Sequence, residues 1–300
     1  MKPYIKTLLV LLGSGLLFGT LWPMRYDLIM MLPSTPALEM TLEDGLYKGE
    51  RGRLFNGRML TAQGGTLTTT PMTNGLRDGL AITMSNGQLV SLVPWVKGLK
   101  EGEAKFFDPK TGVVLELIDY RRGVMDGMKL VFRPDGSLLR RELWVKGQQE
   151  GLTTTYFEDG TVETEVNYHL GEQAGSLKTY NAKGVLISDI MMAGQARHGL
   201  FTLYFEDTGL PAVRGTYEHD AYQGRITTWS TDGSYVVETY DKGHPVGLKE
   251  AYDANGKRLE TEFFDSKDTT SDGAQNASPV PETPAESMEN AEHLEVNEVS

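Results

Sequence analysis

Cysteine is missing from the 300 residues. That excludes disulfides, thiolate metal sites, a cysteine nucleophile and the acylated cysteine of a lipoprotein. Basic residues are outnumbered, 29 Lys and Arg against 41 Asp and Glu, for a net charge of −12. No basic stripe suits a phosphate backbone, so nucleic acid is not an expected partner. Histidine is scarce as well. His169, His198, His219, His244 and His293 occur at no H-x-x-x-H or H-E-x-x-H spacing, so no metal and no cofactor is expected. No G-x-S-x-G, P-loop or dinucleotide fingerprint occurs. The adjacent carboxylates Glu158-Asp159 and Glu206-Asp207 stand just before turn glycines or threonines, where turn chemistry accounts for them. Catalytic pairs must instead converge across a pocket. An enzyme is not expected.

Long apolar runs are limited to one. Thr7 to Met24 has no charge and is rich in leucine. With Tyr4 and Ile5 it makes about 20 residues, enough to cross a bilayer core as a helix. Lys2 and Lys6 precede it, whereas Arg25 and Asp27 behind it cancel. The positive-inside rule then places the rest of the chain outside the cytoplasm. A cleaved signal peptide is the rival reading, but Leu21, Trp22 and Pro23 are poor cleavage-site residues, and Trp22 suits an interfacial anchor. Residues 1–24 are therefore expected as a signal anchor, in an inner membrane with the following domain in the periplasm, and residues 25–44 as a linker. At the other end, residues 266–300 carry eight acidic residues against one lysine, with three prolines, and are expected as a disordered acidic tail.

Glycine is abundant, at 34 residues, and it is periodic. The second glycines of successive G-x-x-x-G units are Gly79, Gly102, Gly127, Gly151, Gly175, Gly199, Gly224 and Gly247, a step near 24 residues. Each unit holds a glycine-flanked turn, about six residues rich in threonine, leucine and aromatics, and a second turn. Examples of the second turn are Asn86-Gly87, Asp135-Gly136, Asp159-Gly160, Asp232-Gly233 and Asn255-Gly256. Such dipeptides accept positive φ and close hairpins. Spacings this short fit strands. The expected fold is all-β: an elongated single-layer antiparallel sheet of tandem β-hairpin repeats over residues 45–265, with one N-terminal hydrophobic helix. Residues 45–64 look like a degraded repeat serving as a cap.

Two aromatic columns follow the period. Five residues after the second glycine stand Phe107, Phe132, Tyr156, Tyr180, Tyr204, Trp229 and Tyr252, with Met84 in the first repeat. Three before the first turn position stand Trp95, Tyr120, Trp144, Tyr168, Tyr217 and Tyr240, with Met191 in one repeat. One aromatic per strand, stacked along neighbouring strands, would make a structural spine; the sharper alternative is a ligand-binding ladder. Threonines such as Thr153-Thr154-Thr155 and Thr227-Thr228 are expected on the solvated second face.

The unit G-x-x-x-G-x-x-x-x-aromatic-x-x-x-G, best carried by GLTTTYFEDG from Gly151 and GSLKTYNAKG from Gly175, resembles the MORN repeat. It is most similar to the bacterial variant in the YwqK family of antitoxins. The resemblance covers residues 75–264 and departs from the pattern at the 194–199 turn and at His219-Asp220. It implies a non-enzymatic, elongated sheet used for protein or membrane contacts. With the export segment, it implies an anchored protein that sequesters a partner, as an immunity protein does a secreted toxin or effector. An envelope scaffold touching lipid or cell-wall glycan is the alternative.

Overall fold

The computed structural model describes residues 32–264. The N-terminal hydrophobic segment and the acidic tail lie outside the described residues. So does the expected helix, and no α-helix occurs among the described residues. The chain divides into two units, Met1–Ala221 and Tyr222–Ser300.

The first unit is a meander. Gly57–Gln63, Thr66–Thr73, Gly79–Ser85, Gln88–Val96, Gly102–Phe107, Val114–Arg121, Val124–Phe132 and Leu138–Val145 each pair antiparallel with the next. Gly151–Tyr156, Val162–His169, Glu172–Tyr180, Leu186–Ala193, Ala196–Tyr204 and Pro211–Glu218 continue it in the same way. The expected all-antiparallel sheet needs one correction. Thr35–Pro36 lies parallel to Gly57–Gln63, so the sheet is mixed. This strand, with the small hairpin Thr41–Glu43/Leu46–Lys48, falls in and beside the stretch expected as linker. The Tyr47 N–H bonds the Gly75 carbonyl and Asn56 Oδ1 accepts the Asn74 N–H, so this segment seats on the first turn of the array.

Two kinds of turn alternate. At Asn74-Gly75, Lys97-Gly98, Arg122-Gly123, Lys146-Gly147 and Leu170-Gly171 both residues have positive φ. These are two-residue type I′ loops, whose twist matches the flanking strands. The Asx-Gly turns work differently from expectation. Asn86 does take positive φ, but at Asp135-Gly136 and Asp159-Gly160 only the glycine does. There the aspartate Oδ1 accepts the backbone N–H two residues on, from Ser137 at 2.8 Å and Thr161 at 2.9 Å. The Gly136 N–H bonds the Arg133 carbonyl, closing a type I turn whose glycine starts a bulge.

That bulge decides which face each aromatic column occupies. Lys105 opposes Leu117, so the two share a face. Phe107 is two residues beyond Lys105 and stays on it; Tyr120 is three beyond Leu117 and lies on the other. The same offset recurs along the first unit. Aromatics of successive strands therefore alternate faces, and each column has rungs two strands, about 10 Å, apart. The continuous stack expected from the sequence does not form. The face of the second column carries a central row in direct register, Thr153, Val166, Leu177, Ile190 and Phe201, of which all but Leu177 are buried. On the opposite face Ile82, Met84, Leu92 and Phe107 form a buried cluster with Leu89 and Val114.

The threonine expectation also fails in part. Thr153, Thr154 and Thr155 are all buried, because longer neighbours shade short side chains on both faces. Thr155 and Thr164 hydroxyls lie 2.6 Å apart across strands. Of the pair Thr227-Thr228, only Thr228 is exposed.

The second unit is a meander of its own: the strand Ala221–Trp229, which lies in it from Tyr222 on, is followed by Tyr235–Asp241, His244–Tyr252 and Arg258–Phe264. Ile226 and Val237 are buried in it. Here the first column does stack, because Tyr235 stands between two rungs: its ring lies 4.8 Å from Tyr252 at 10° and 6.3 Å from Trp229.

Candidate interaction surface

The thirteen aromatics are half-buried or buried, with Phe107 and Tyr217 the most enclosed. Second-column rungs are held by polar neighbours. Arg77 lies 4.6 Å over Trp95, Lys100 4.8 Å over Tyr120 and Arg197 4.5 Å over Tyr217. Cations on those faces leave less ring for a ligand to stack against. Trp144 Nε1 donates to Glu142 at 2.7 Å and Gln173 donates to the Tyr168 hydroxyl at 3.2 Å. In the first column, burial and then the Glu165 carboxylate push the Tyr180 phenol up to about 12. Burial and Glu238 do the same to Tyr240 in the second column. Both phenols keep their proton, and so their donor role, at neutral pH. Phe132, Tyr156, Tyr204, Trp229 and Tyr252 are half-buried.

Register explains the second column. Gly79 opposes Trp95, Gly102 Tyr120, Gly127 Trp144, Gly151 Tyr168, Gly199 Tyr217 and Gly224 Tyr240. The glycines have positive φ. A Cβ at Gly127 would stand 2.6 Å from the Asp119 Cβ. The aromatic covers the backbone that its glycine partner leaves bare.

Glu142 is the buried carboxylate of the central region. Arg140 Nε lies 2.6 Å from it, though the Nε–H does not point at the oxygen, and Lys129 is its direct cross-strand partner. The carboxylates singled out in the sequence are dispersed. Asp159 holds Thr161, and those hydrogen bonds keep its carboxyl below the usual range. With Arg133, Phe157, Glu158 and Glu163 it lines a shallow, open depression on the edge of the Asx turns. His169 meets Glu150 at 2.9 Å, and the His198 and His219 rings lie 5.2 Å apart. No cluster of three metal-ligating side chains occurs among the described residues.

The opposite edge was not singled out from sequence. There each turn glycine donates to a carbonyl of the preceding repeat: Gly98 to Arg77, Gly123 to Lys100, Gly147 to Met125 and Gly171 to Gln149, at 2.7 to 3.0 Å. The turns thus stack into one ledge. Acids of one repeat cap turns of the next. Glu101 accepts the Arg122 N–H at 2.7 Å, and Glu150 accepts the Leu170 N–H at 3.0 Å. The His169 bond and then the Leu170 N–H hold the Glu150 carboxyl below its ordinary value. The residue after each turn glycine lies over the next one. Leu76 Cδ2 is 3.1 Å from the Cβ position of Gly98, and Leu99 Cδ2 3.3 Å from that of Gly123. Val124 lies over Gly147 in the same way. The signal was present in the sequence as the residue following the first glycine of each unit.

Residues 149–169 are a MORN repeat variant. They comprise the Gln149 strand, the Gly151–Tyr156/Val162–His169 hairpin and its Asx turn. No curated protein matches the chain. Among solved structures, a mutant TCP10 domain of Danio rerio CPAP is 15% identical, over 75% of this chain and 99% of that one, at a TM-score of 0.29.

Proposed function

We propose that this chain is a non-enzymatic, membrane-anchored binding protein outside the cytoplasm that sequesters a partner protein, in the manner of an antitoxin or immunity protein. The observation that carries the reading is the open sheet of the first unit. No helical layer covers it among the described residues, and aliphatic side chains stand exposed at one rank on successive hairpins. Repeat surfaces of this kind bind extended partners. The Leu-rich segment from Thr7 to Met24 would hold the domain at the membrane.

The test is affinity purification of the full chain from detergent-solubilised envelopes. One stoichiometric protein partner supports sequestration. Retention on sedimented peptidoglycan or on liposomes, with no protein partner, sinks it in favour of an envelope scaffold.

A further inference from the structure

We infer that the sequestered partner docks on the turn ledge of the first unit between Val96 and Lys146, and that the partner face is acidic with an aliphatic centre. This rests on the sequestration reading. Val96, Leu99, Val124 and Val145 are 46, 49, 44 and 40% exposed. Val96 opposes Leu99 and Arg121 opposes Val124, so the four aliphatics share a face and a rank on consecutive hairpins. Scattered exposed aliphatics are ordinary; contiguous ones rimmed by polar groups mark contact surfaces.

The rim is cationic. Lys97, Arg122 and Lys146 are the first residues of three type I′ turns, fixed at φ near 50° and exposed, with Arg121 exposed beside them. Neighbouring turns are two strands, about 10 Å, apart. The nearest carboxylates are engaged: Asp126 lies 3.8 Å from the Arg121 guanidinium, Glu101 binds the Arg122 N–H and Asp119 the Met128 N–H, which leaves Lys97, Arg122 and Lys146 as the outward charges. A chain of net charge −12 therefore presents a local positive edge. Such an edge selects acidic partners and speeds their encounter. The row also ends. Gln148 occupies the place over the next turn, Leu170 replaces the cation at its tip and Glu172 follows. A flat bilayer would engage the whole ledge, whereas a patch confined to three turns suits the central contact of a single protein partner.

The experiment uses the full chain in the cells that make it, with a photo-cross-linking amino acid placed at Val124 or Val145, and at the exposed Leu200 or Leu210 as comparison. The expected result is one protein adduct from positions 124 and 145 and none from 200 and 210. The cross-linked partner peptide should hold more Asp and Glu than Lys and Arg. Lys97→Glu, Arg122→Glu and Lys146→Glu together should cut the adduct at least tenfold with an unchanged circular dichroism spectrum. A protein adduct only from 200 or 210, a basic partner peptide, or a stoichiometric partner that cross-links nowhere on the ledge would overturn the docking site while leaving sequestration standing. A lipid adduct at 124 or 145 would overturn the protein partner in favour of a membrane. No adduct at any position together with no stoichiometric partner defeats sequestration itself.

Discussion

Single residues in this chain are constrained by backbone geometry as much as by contacts. At Gly127 φ is 143° and an added Cβ would collide with Asp119, whereas at Gly175 φ is 86° and the space is open. Gly127→Ala should therefore cost roughly 3 kcal/mol through strain plus collision, and Gly175→Ala about 1 kcal/mol through strain alone. Urea midpoints followed by circular dichroism would separate them; equal costs would show that the collision is relieved. Glu142 poses a different problem. Its removal by Glu142→Ala leaves Arg140 half-enclosed without its partner, and a loss of roughly 3–5 kcal/mol is expected. Arg140→Met with Glu142→Leu removes both charges but leaves the Trp144 Nε1–H without its acceptor, and should recover only part of that loss.

Among elements, the turns act as coupled pairs. Asp108, Asp135, Asp159 and Asp232 all have carboxyls held below the ordinary 3.8, by hydrogen bonds from residues two or three positions on. A depressed folded-state value means the unfolded chain binds protons first as pH falls. The stabilisation is present above 3.8 and is lost as pH drops through the folded value. Midpoints measured down through this window should fall, and Asp159→Asn should flatten its share of the drop, because an amide oxygen still accepts without titrating. On the other edge, Glu101 joins one repeat to the next through the Arg122 N–H. Glu101→Ala should speed amide exchange at Arg122 by about tenfold, the loss of one hydrogen bond to a charged acceptor, while the Gly147 amide, bound to Met125, stays protected. Uniform exchange across both turns would mean the repeats do not open separately.

For the molecule as a whole, the first unit gains its stability from contacts between neighbouring strands, as arrays do. Deleting residues 151–174 joins Glu150 to Gly175 and restores the same Glu-Gly step and turn order. That variant should keep its β-sheet spectrum with a lowered midpoint. Deleting only residues 163–174 removes half the period, reverses the direction of every later strand and should yield a chain without a cooperative transition. Analytical ultracentrifugation and circular dichroism would show which deletion keeps a folded monomer-sized species.

The period, the strands and the turn positions follow from local chemistry, and the sequence alone determined them. Glycine-bearing turns with roughly six to ten residues between them leave the chain few alternatives to hairpins. The placement of Phe107 and Tyr120 on opposite faces was decided only by the tertiary structure, because a single bulge residue changes side-chain parity and leaves no compositional mark. The parallel strand Thr35–Pro36 and the burial of Thr153, Thr154 and Thr155 likewise depend on neighbours distant in sequence. The ledge lay in plain sight as Leu76, Leu99 and Val124, yet its meaning requires the stacking of Gly98, Gly123 and Gly147 on the repeats before them. Periodicity fixes what is repeated along the chain; which side chains remain exposed is settled when the strands pair.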